Sequence, residues 1–320
     1  MKYKKLKNTD LTVSTIALGT DVYGTDLDEK TSFEMLDFYI QNGGNIIDTA
    51  NIYADWVPGE RGRSEKLIGR WLKTAGNREN YVISTKGGHP NLDTMGISRL
   101  SRNELTEDLD ESLRRLGTDY VDIYWLHRDD ESLEVSDIMD TLDGFVKSGK
   151  VRYIGMSNWT CKRIEIAQAY AKNNGKTKLI ASQIQYSAAQ PNVENNDPTL
   201  VLMNGDEYGY FKNNDMTVFA FASQAKGFFS KLHAGGEEAL SKKARERYLN
   251  EISLARFERI EKLSSELGHT VGEIAVSVLA SNYDFDTIPI VGCKNTEQLE
   301  ESMNGAALRL TKEQIEYIYG

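Results

Sequence analysis

The sequence predicts a (β/α)8 barrel, an α/β fold, preceded by an N-terminal β-hairpin, and three observations carry that prediction. Short apolar runs alternate with amphipathic stretches along the chain, the pattern of a parallel sheet with helical crossovers. Eight such runs begin at Thr15, Asn45, Tyr81, Val121, Val151, Leu179, Met216 and Thr287, a number that suits a closed barrel better than an open sheet. The length, 320 residues, is one that such barrels occupy, and no linker divides it, so residues 1–320 are read as one domain.

Taken in order, Lys2–Lys7 and Leu11–Ser14 alternate around Asn8-Thr-Asp and are expected to form the hairpin, which would plug the N-terminal mouth of the barrel. Thr15–Leu18 is the first barrel strand. Glu29–Asn42 has helical apolar spacing and meets a stop at Gly43-Gly44. The strand Asn45–Asp48, the helix Arg63–Ala75 and the strand Tyr81–Thr85 follow. Arg102–Leu116 is expected to be helical up to Gly117, and Val121–Leu126 to be a strand. The alternation continues with a helix over 133–148, the strand Val151–Met156, the helix Cys161–Asn173, the strand Leu179–Gln183, a helix near Pro198–Lys212 and the strand Met216–Phe221. A polar loop with a helical segment spans roughly 223–250. Helices over Ser253–Leu267 and Val271–Asn282, the strand Thr287–Ile290, and helices over Thr296–Asn304 and Thr311–Tyr319 complete the chain.

Composition excludes several functions. The formal charge of -10 argues against a general nucleic-acid surface, which needs an excess of Lys and Arg to meet phosphates. No apolar stretch approaches the ~18 residues of a membrane span. The start, Met1-Lys-Tyr-Lys-Lys-Leu, lacks the apolar core of a secretory signal, and two widely spaced cysteines, Cys161 and Cys293, suggest neither disulfides nor a zinc site. The reading is a cytoplasmic protein without a metal, monomeric or homodimeric.

The chemistry gathers where apolar runs stop. Asn45–Asp48 ends in a carboxylate with a phenol at Tyr53, the next strand runs into Lys86, and Val121–Leu126 runs into His127. In a (β/α)8 barrel the C-terminal ends of the strands build the active site, so these four groups would meet. A phenol is a poor acid at neutral pH, but an ammonium beside it favours the phenolate and is expected to lower its pKa. Asp48 would hold Lys86 charged and aimed, and His127 would hydrogen-bond a substrate carbonyl oxygen. Trp56, Trp125 and Trp159, near the same strand ends, are candidates for an apolar substrate wall, or for ordinary packing.

Asp48-Thr-Ala-x-x-Tyr53, Ser84-Thr-Lys-Gly87 and Leu126-His-Arg128 resemble the motifs of the aldo-keto reductase superfamily, in the same order, and the likeness runs from Leu18-Gly19-Thr20 almost to the C-terminus. It implies a tetrad of Asp48, Tyr53, Lys86 and His127 and an NADPH (NADP+) cofactor whose site includes Gly19 and Thr20. Ser157 and Asn158, within Gly155-Met-Ser-Asn, and Gln183 resemble the residues that hold the nicotinamide carboxamide. Phe221 falls where an aromatic stacks on the nicotinamide, a position at which tyrosine is frequent. Ser223, Gln224, Ala225 and Lys226 would approach the pyrophosphate. Gly292, Lys294, Asn295, Gln298, Glu301 and Ser302 match the adenosine-phosphate segment, with Lys294 placed for the 2'-phosphate and Ser302 where asparagine is usual.

The resemblance thus implies reduction of small-molecule aldehydes or ketones to alcohols, with Tyr53 as proton donor. The chain has no G-x-G-x-x-G after a first strand, so a Rossmann site is not supported. Two alternatives belong to other classes. One is a cofactor-binding sensor or auxiliary subunit with little turnover, similar to potassium-channel auxiliary subunits. The other is a barrel isomerase or aldolase in which Lys86 forms a Schiff base.

Overall fold

The computed structural model describes residues 1–214 and 216–320. Strands β1 (Tyr3–Lys5) and β2 (Thr12–Ser14) pair antiparallel, and eight further strands close into a parallel barrel. In chain order these are β3 (Ala17–Gly19), β4 (Ile46–Asp48), β5 (Val82–Gly87), β6 (Val121–Leu126), β7 (Val151–Ser157), β8 (Leu179–Gln185), β9 (Thr217–Phe221) and β10 (Thr287–Val291), and β10 pairs with β3 to close the ring. Each strand pairs with its neighbour in sequence, as the predicted alternation requires.

The outer helices are α1 (Glu29–Gln41), α2 (Arg63–Ala75), α3 (Arg102–Leu116), α4 (Val135–Lys147), α5 (Cys161–Asn174) and α6 (Gly205–Asn214). They continue as α7 (Phe228–Gly235), α8 (Lys242–Tyr248), α9 (Glu251–Leu267), α10 (Val271–Ala280), α11 (Thr296–Ala307) and α12 (Lys312–Tyr319). Local chemistry sets several ends. Ser101 and Glu104 form a capping box at the start of α3, and Asp28 accepts from the Thr31 amide to cap α1. After α1 the backbone turns at Gly43, φ 87°, where a left-handed conformation favours glycine, and a Cβ on Gly44 would collide with the Tyr39 ring.

One helix starts later than the sequence predicts. Residues 198–200 form a turn and Leu202 bridges to Gln185 instead, because the Gln185 amide donates to Val201 O at 3.0 Å and the Met203 amide to Gln185 O at 2.9 Å. This bridge to the end of β8 outweighs the helical spacing of Leu200 to Met203, and α6 begins only at Gly205, where Asn204 Oδ1 accepts from the Asp206 and Glu207 amides.

The barrel interior has two unlike ends. At the N-terminal end the hairpin residues Leu6, Leu11 and Val13 form one apolar cluster with Ile46, Val82, Ile123, Ile180 and Ile288 from the strands, so the hairpin does plug that mouth. Trp125 and Phe219 extend the plug, their rings meeting edge-on at 5.1 Å, and Gly155 on β7 leaves the space that the Trp125 ring fills. The C-terminal end is polar.

Candidate active site

Strand register brings the predicted tetrad together. Asp48 pairs across from Ser84 on β5, and because side chains alternate along a strand, Ser84 and Lys86 share one face. The His127 amide donates to Gly87 O at 2.8 Å, which sets the imidazole beside the end of β5. The loop between β4 and α2 carries Tyr53 back over this face, held by the Asn51 amide on Lys86 O at 2.9 Å and by Arg115 Nη1 on Asn51 O at 3.0 Å.

At the centre stands the Lys86 ammonium, 1% exposed. Its Nζ donates to Asp48 Oδ2 at 2.5 Å, to Thr49 O at 2.8 Å and to the Tyr53 hydroxyl at 2.9 Å. Three donors thus meet three acceptors. The Asp48 carboxylate, equally buried, also accepts from Ser84 Oγ at 2.5 Å and from Gln183 Nε2 at 3.2 Å. Burial alone would lower the Lys86 pKa, but the Asp48 carboxylate and then Tyr53 outweigh it, and the net direction is upward.

Lys86 acts to lower the Tyr53 pKa, as expected, but the net direction is upward. Burial dominates and pushes the phenol up, with Asp48 adding to the rise, while the Lys86 ammonium pulls only partly the other way. The chief reason is that the phenol is buried, which penalises the phenolate more than the Lys86 charge favours it. In this arrangement Tyr53 keeps its proton at neutral pH.

His127 is neutral as well. Burial, with His89, Arg128 and Lys86 adding positive charge nearby, holds its pKa well below the ordinary imidazole value. Its ring meets Tyr53 edge-on at 5.8 Å and His89 at 4.8 Å, and its Nδ1 is buried without a partner among the described residues. An unpaired buried acceptor costs less than an unpaired donor, so the imidazole proton belongs on Nε2.

Of the three tryptophans, only Trp56 stands at the mouth, half exposed and 6.3 Å from the Tyr53 ring. Trp125 belongs to the apolar plug, and Trp159 is wholly buried with its Nε1 donating to Arg128 O at 3.3 Å. Ser84, His89 and Arg128 were not singled out from sequence for this site. Ser84 had a signal, since it sits two residues before Lys86 on one strand face, whereas His89 lies beyond the strand and only the fold turns it back.

Most residues matched to a cofactor lie at these strand ends, in the segment after β9 and at the start of α11. Ser157, Asn158 and Gln183 are buried at the ends of β7 and β8, with Asn158 Nδ2 donating to His127 O at 3.1 Å. Phe221 closes β9, half-buried. Beyond it the backbone takes positive φ at Ala222, Ala225 and Lys226 without glycine, a costly conformation of the kind found at ligand clamps. Gln224 Nε2 donates to Ser302 Oγ at 2.8 Å and Ser223 Oγ to Ile290 O at 2.6 Å, tying this loop to β10 and α11.

Gly292, Lys294, Asn295 and Gln298 are exposed beside it, and Asn295 caps α11 by accepting from the Gln298 amide. The Lys294 side chain makes no ion pair among the described residues. Gly19 and Thr20 are buried in the wall instead, Thr20 Oγ1 donating to Asp48 O at 3.0 Å, and Glu301 accepts from Thr270 Oγ1 at 2.5 Å. Positive-φ backbone, a helix cap and a free ammonium in sequence fit a dinucleotide phosphate. Cys293, next to this strip, is buried, and burial pushes its thiol up to about 11, which disfavours a redox role.

A parallel barrel with a carboxylate, an ammonium, a phenol and a neutral imidazole in contact at its C-terminal mouth is built like a barrel reductase. The model of the Aldo/keto reductase family matches residues 15–320, and the chain belongs to that family. It is an NAD(P)H-dependent oxidoreductase.

Among curated proteins it is 32% identical to the uncharacterized oxidoreductase YrpG of Bacillus subtilis, over 98% of this chain and 93% of that protein. It is 26% identical to an aryl-alcohol dehydrogenase [NADP(+)] of Phanerodontia chrysosporium, over 91% of this chain and 76% of that one. The fold matches a crystal structure of the thermostable aldo-keto reductase Tm1743 with the inhibitor epalrestat, at a TM-score of 0.73 and 24% identity, covering 100% of this chain and 99% of that one. No helix among the described residues is long and apolar enough to cross a membrane.

Proposed function

We propose that the protein reduces small-molecule aldehydes or ketones to alcohols with NADPH, and that Tyr53 delivers the proton. The observation that carries this reading is the Lys86 ammonium bridging Asp48 at 2.5 Å and the Tyr53 hydroxyl at 2.9 Å. The bound cofactor supplies hydride to the carbonyl carbon. Tyr53 holds its proton until negative charge develops on the carbonyl oxygen, and Lys86 then stabilises the phenolate left behind. His127, neutral and protonated on Nε2, hydrogen-bonds the same oxygen and orients it. In the reverse direction the phenolate takes the proton from an alcohol.

Ser157, Asn158 and Gln183 would hold the carboxamide, Phe221 would stack on the nicotinamide, Ser223 to Lys226 would meet the pyrophosphate, and Lys294 would pair with the 2'-phosphate. The similarity to an NADP(+)-linked aryl-alcohol dehydrogenase supports both the cofactor and, with Trp56 at the rim, aromatic aldehydes as first substrates to try. The raised pKa of Lys86 and its three acceptors argue against a nucleophilic amine and so against a Schiff base. We take the 320 residues as one catalytic unit working in the cytoplasm.

A panel of aldehydes, ketones and sugars, followed by NADPH absorbance with NADH beside it, tests this reading. Turnover with NADPH on at least one carbonyl supports it, and Lys294→Ala should then weaken NADPH much more than NADH. Cofactor binding without turnover on any carbonyl would favour the sensor.

A further inference from the structure

A groove of about 710 Å3 opens on the outer wall of the barrel between α6, α10 and α12, beneath the segment that follows β8. That is room for a ligand of drug-like size. Its lining includes none of Asp48, Tyr53, Lys86 or His127. The walls are largely aromatic and apolar, with Tyr186, Tyr208, Tyr319, Met203 and Ile315 facing the space. The α6 side is bare at Gly209, where an added Cβ would meet nothing within 4 Å.

One cation stands in this groove without an ion-pair partner among the described residues. Arg256, projected from α9 and half-buried, donates through Nη1 to Ala188 O at 2.9 Å and lies over the Tyr319 ring at 4.7 Å, while its Nε is buried and unpaired. Other partly buried arginines of the chain sit on carboxylates, among them Arg78 on Asp122, Arg99 on Asp108 and Arg163 on Asp129. The two side-chain carboxylates of the groove are taken. Asp284 accepts from the Tyr208 hydroxyl at 2.8 Å and pairs with Lys212 at 3.1 Å, and Glu316 faces Lys312 at 3.7 Å. Burial acts to lower the Arg256 pKa, and only the Tyr319 and Tyr186 phenols offset it. A half-buried guanidinium with no ion-pair partner among the described residues, in a chain of net charge -10, is a fixed cost unless something else supplies the charge.

We propose that this groove is a second ligand site, separate from the barrel mouth, that holds an aromatic monocarboxylate with its carboxylate on Arg256. The guanidinium fork matches a carboxylate in two-point geometry, and the tyrosine faces match an aromatic body. Asp284 and Glu316 nearby disfavour a second negative charge, which selects a monoanion over a phosphate ester. The site does not depend on which reaction the barrel mouth performs.

Calorimetric titration of the full chain, saturated with NADPH, with 2-naphthoate and its neutral analogue 2-naphthamide tests the proposal. 2-Naphthoate should bind at or below ~1 mM, and Arg256→Gln should weaken it about tenfold to a hundredfold, the scale of a charged hydrogen bond, while leaving the amide unchanged. Gly209→Trp, which fills the groove from an open helix face, should abolish binding of both, and Tyr53→Phe should alter neither. Both groove variants should keep the wild-type thermal midpoint within a few degrees and the wild-type turnover of carbonyls. Failure of 2-naphthoate to bind, equal binding by Arg256→Gln, or loss of binding in Tyr53→Phe would overturn the proposal.

Discussion

The two ends of the barrel interior are built from the same strands and do opposite things. At the N-terminal end Leu6, Leu11, Val13, Trp125 and Phe219 fill the space with apolar volume, whereas at the C-terminal end the same ring encloses a lysine, a carboxylate and an imidazole. On β6 the change takes two residues, from Trp125 in the plug to His127 at the site. The apolar end contributes stability through burial, and the polar end spends some of it to keep an ammonium between an acid and a phenol. The difference teaches that the site is oriented by a rigid floor, so damage to the floor and damage to the site should separate in measurement.

Lys86→Met should break the polar end most severely. It leaves the Asp48 carboxylate buried without its cation, a loss of about 3–5 kcal/mol, and should also remove most carbonyl reduction. Denaturant melts read the first effect and NADPH-linked turnover the second; full turnover in this variant would end the comparison. Trp125→Ala should cost a similar ~3–5 kcal/mol from cavity formation, yet keep near-normal turnover per folded molecule, because the Asp48, Lys86 and Tyr53 contacts do not include it. If turnover falls as far as in Lys86→Met, the floor and the site are not separable.

The smallest effect is on pH. Burial holds the folded-state pKa of His89 down at about 4 against 6.5, so its stabilising contribution is present above pH ~6.5 and is lost as pH falls toward ~4. His127, depressed further for the same reason, adds to that acid limb. His89→Asn should therefore flatten the fall of thermal midpoint between pH 7 and pH 4, and parallel curves for the two proteins would contradict the assignment.

Much of this was legible in sequence because each strand end states its chemistry. Asp48, Lys86 and His127 interrupt apolar runs at the point where a barrel strand must stop, and no other end of the fold could receive them. The parts that were not legible depend on direction and on net balance. Trp125 and Trp159 lie beside the same strand ends, but one points below the site and the other outward, which residue type does not reveal. The Tyr53 shift needed the sum of burial, Lys86 and Asp48, and its sign turned on burial, which only the fold shows. The late start of α6 came from a bridge to Gln185, a contact outside any local pattern.

The most direct test of the account is single-turnover reduction of an aromatic aldehyde by Tyr53→Phe preloaded with NADPH, with NADPH affinity measured on the same sample. The variant should bind NADPH as the wild type does and lose about 10²–10⁴-fold in the reduction step, the contribution of a positioned acid. Unchanged reduction with unchanged binding would contradict the assignment of Tyr53 as the proton donor.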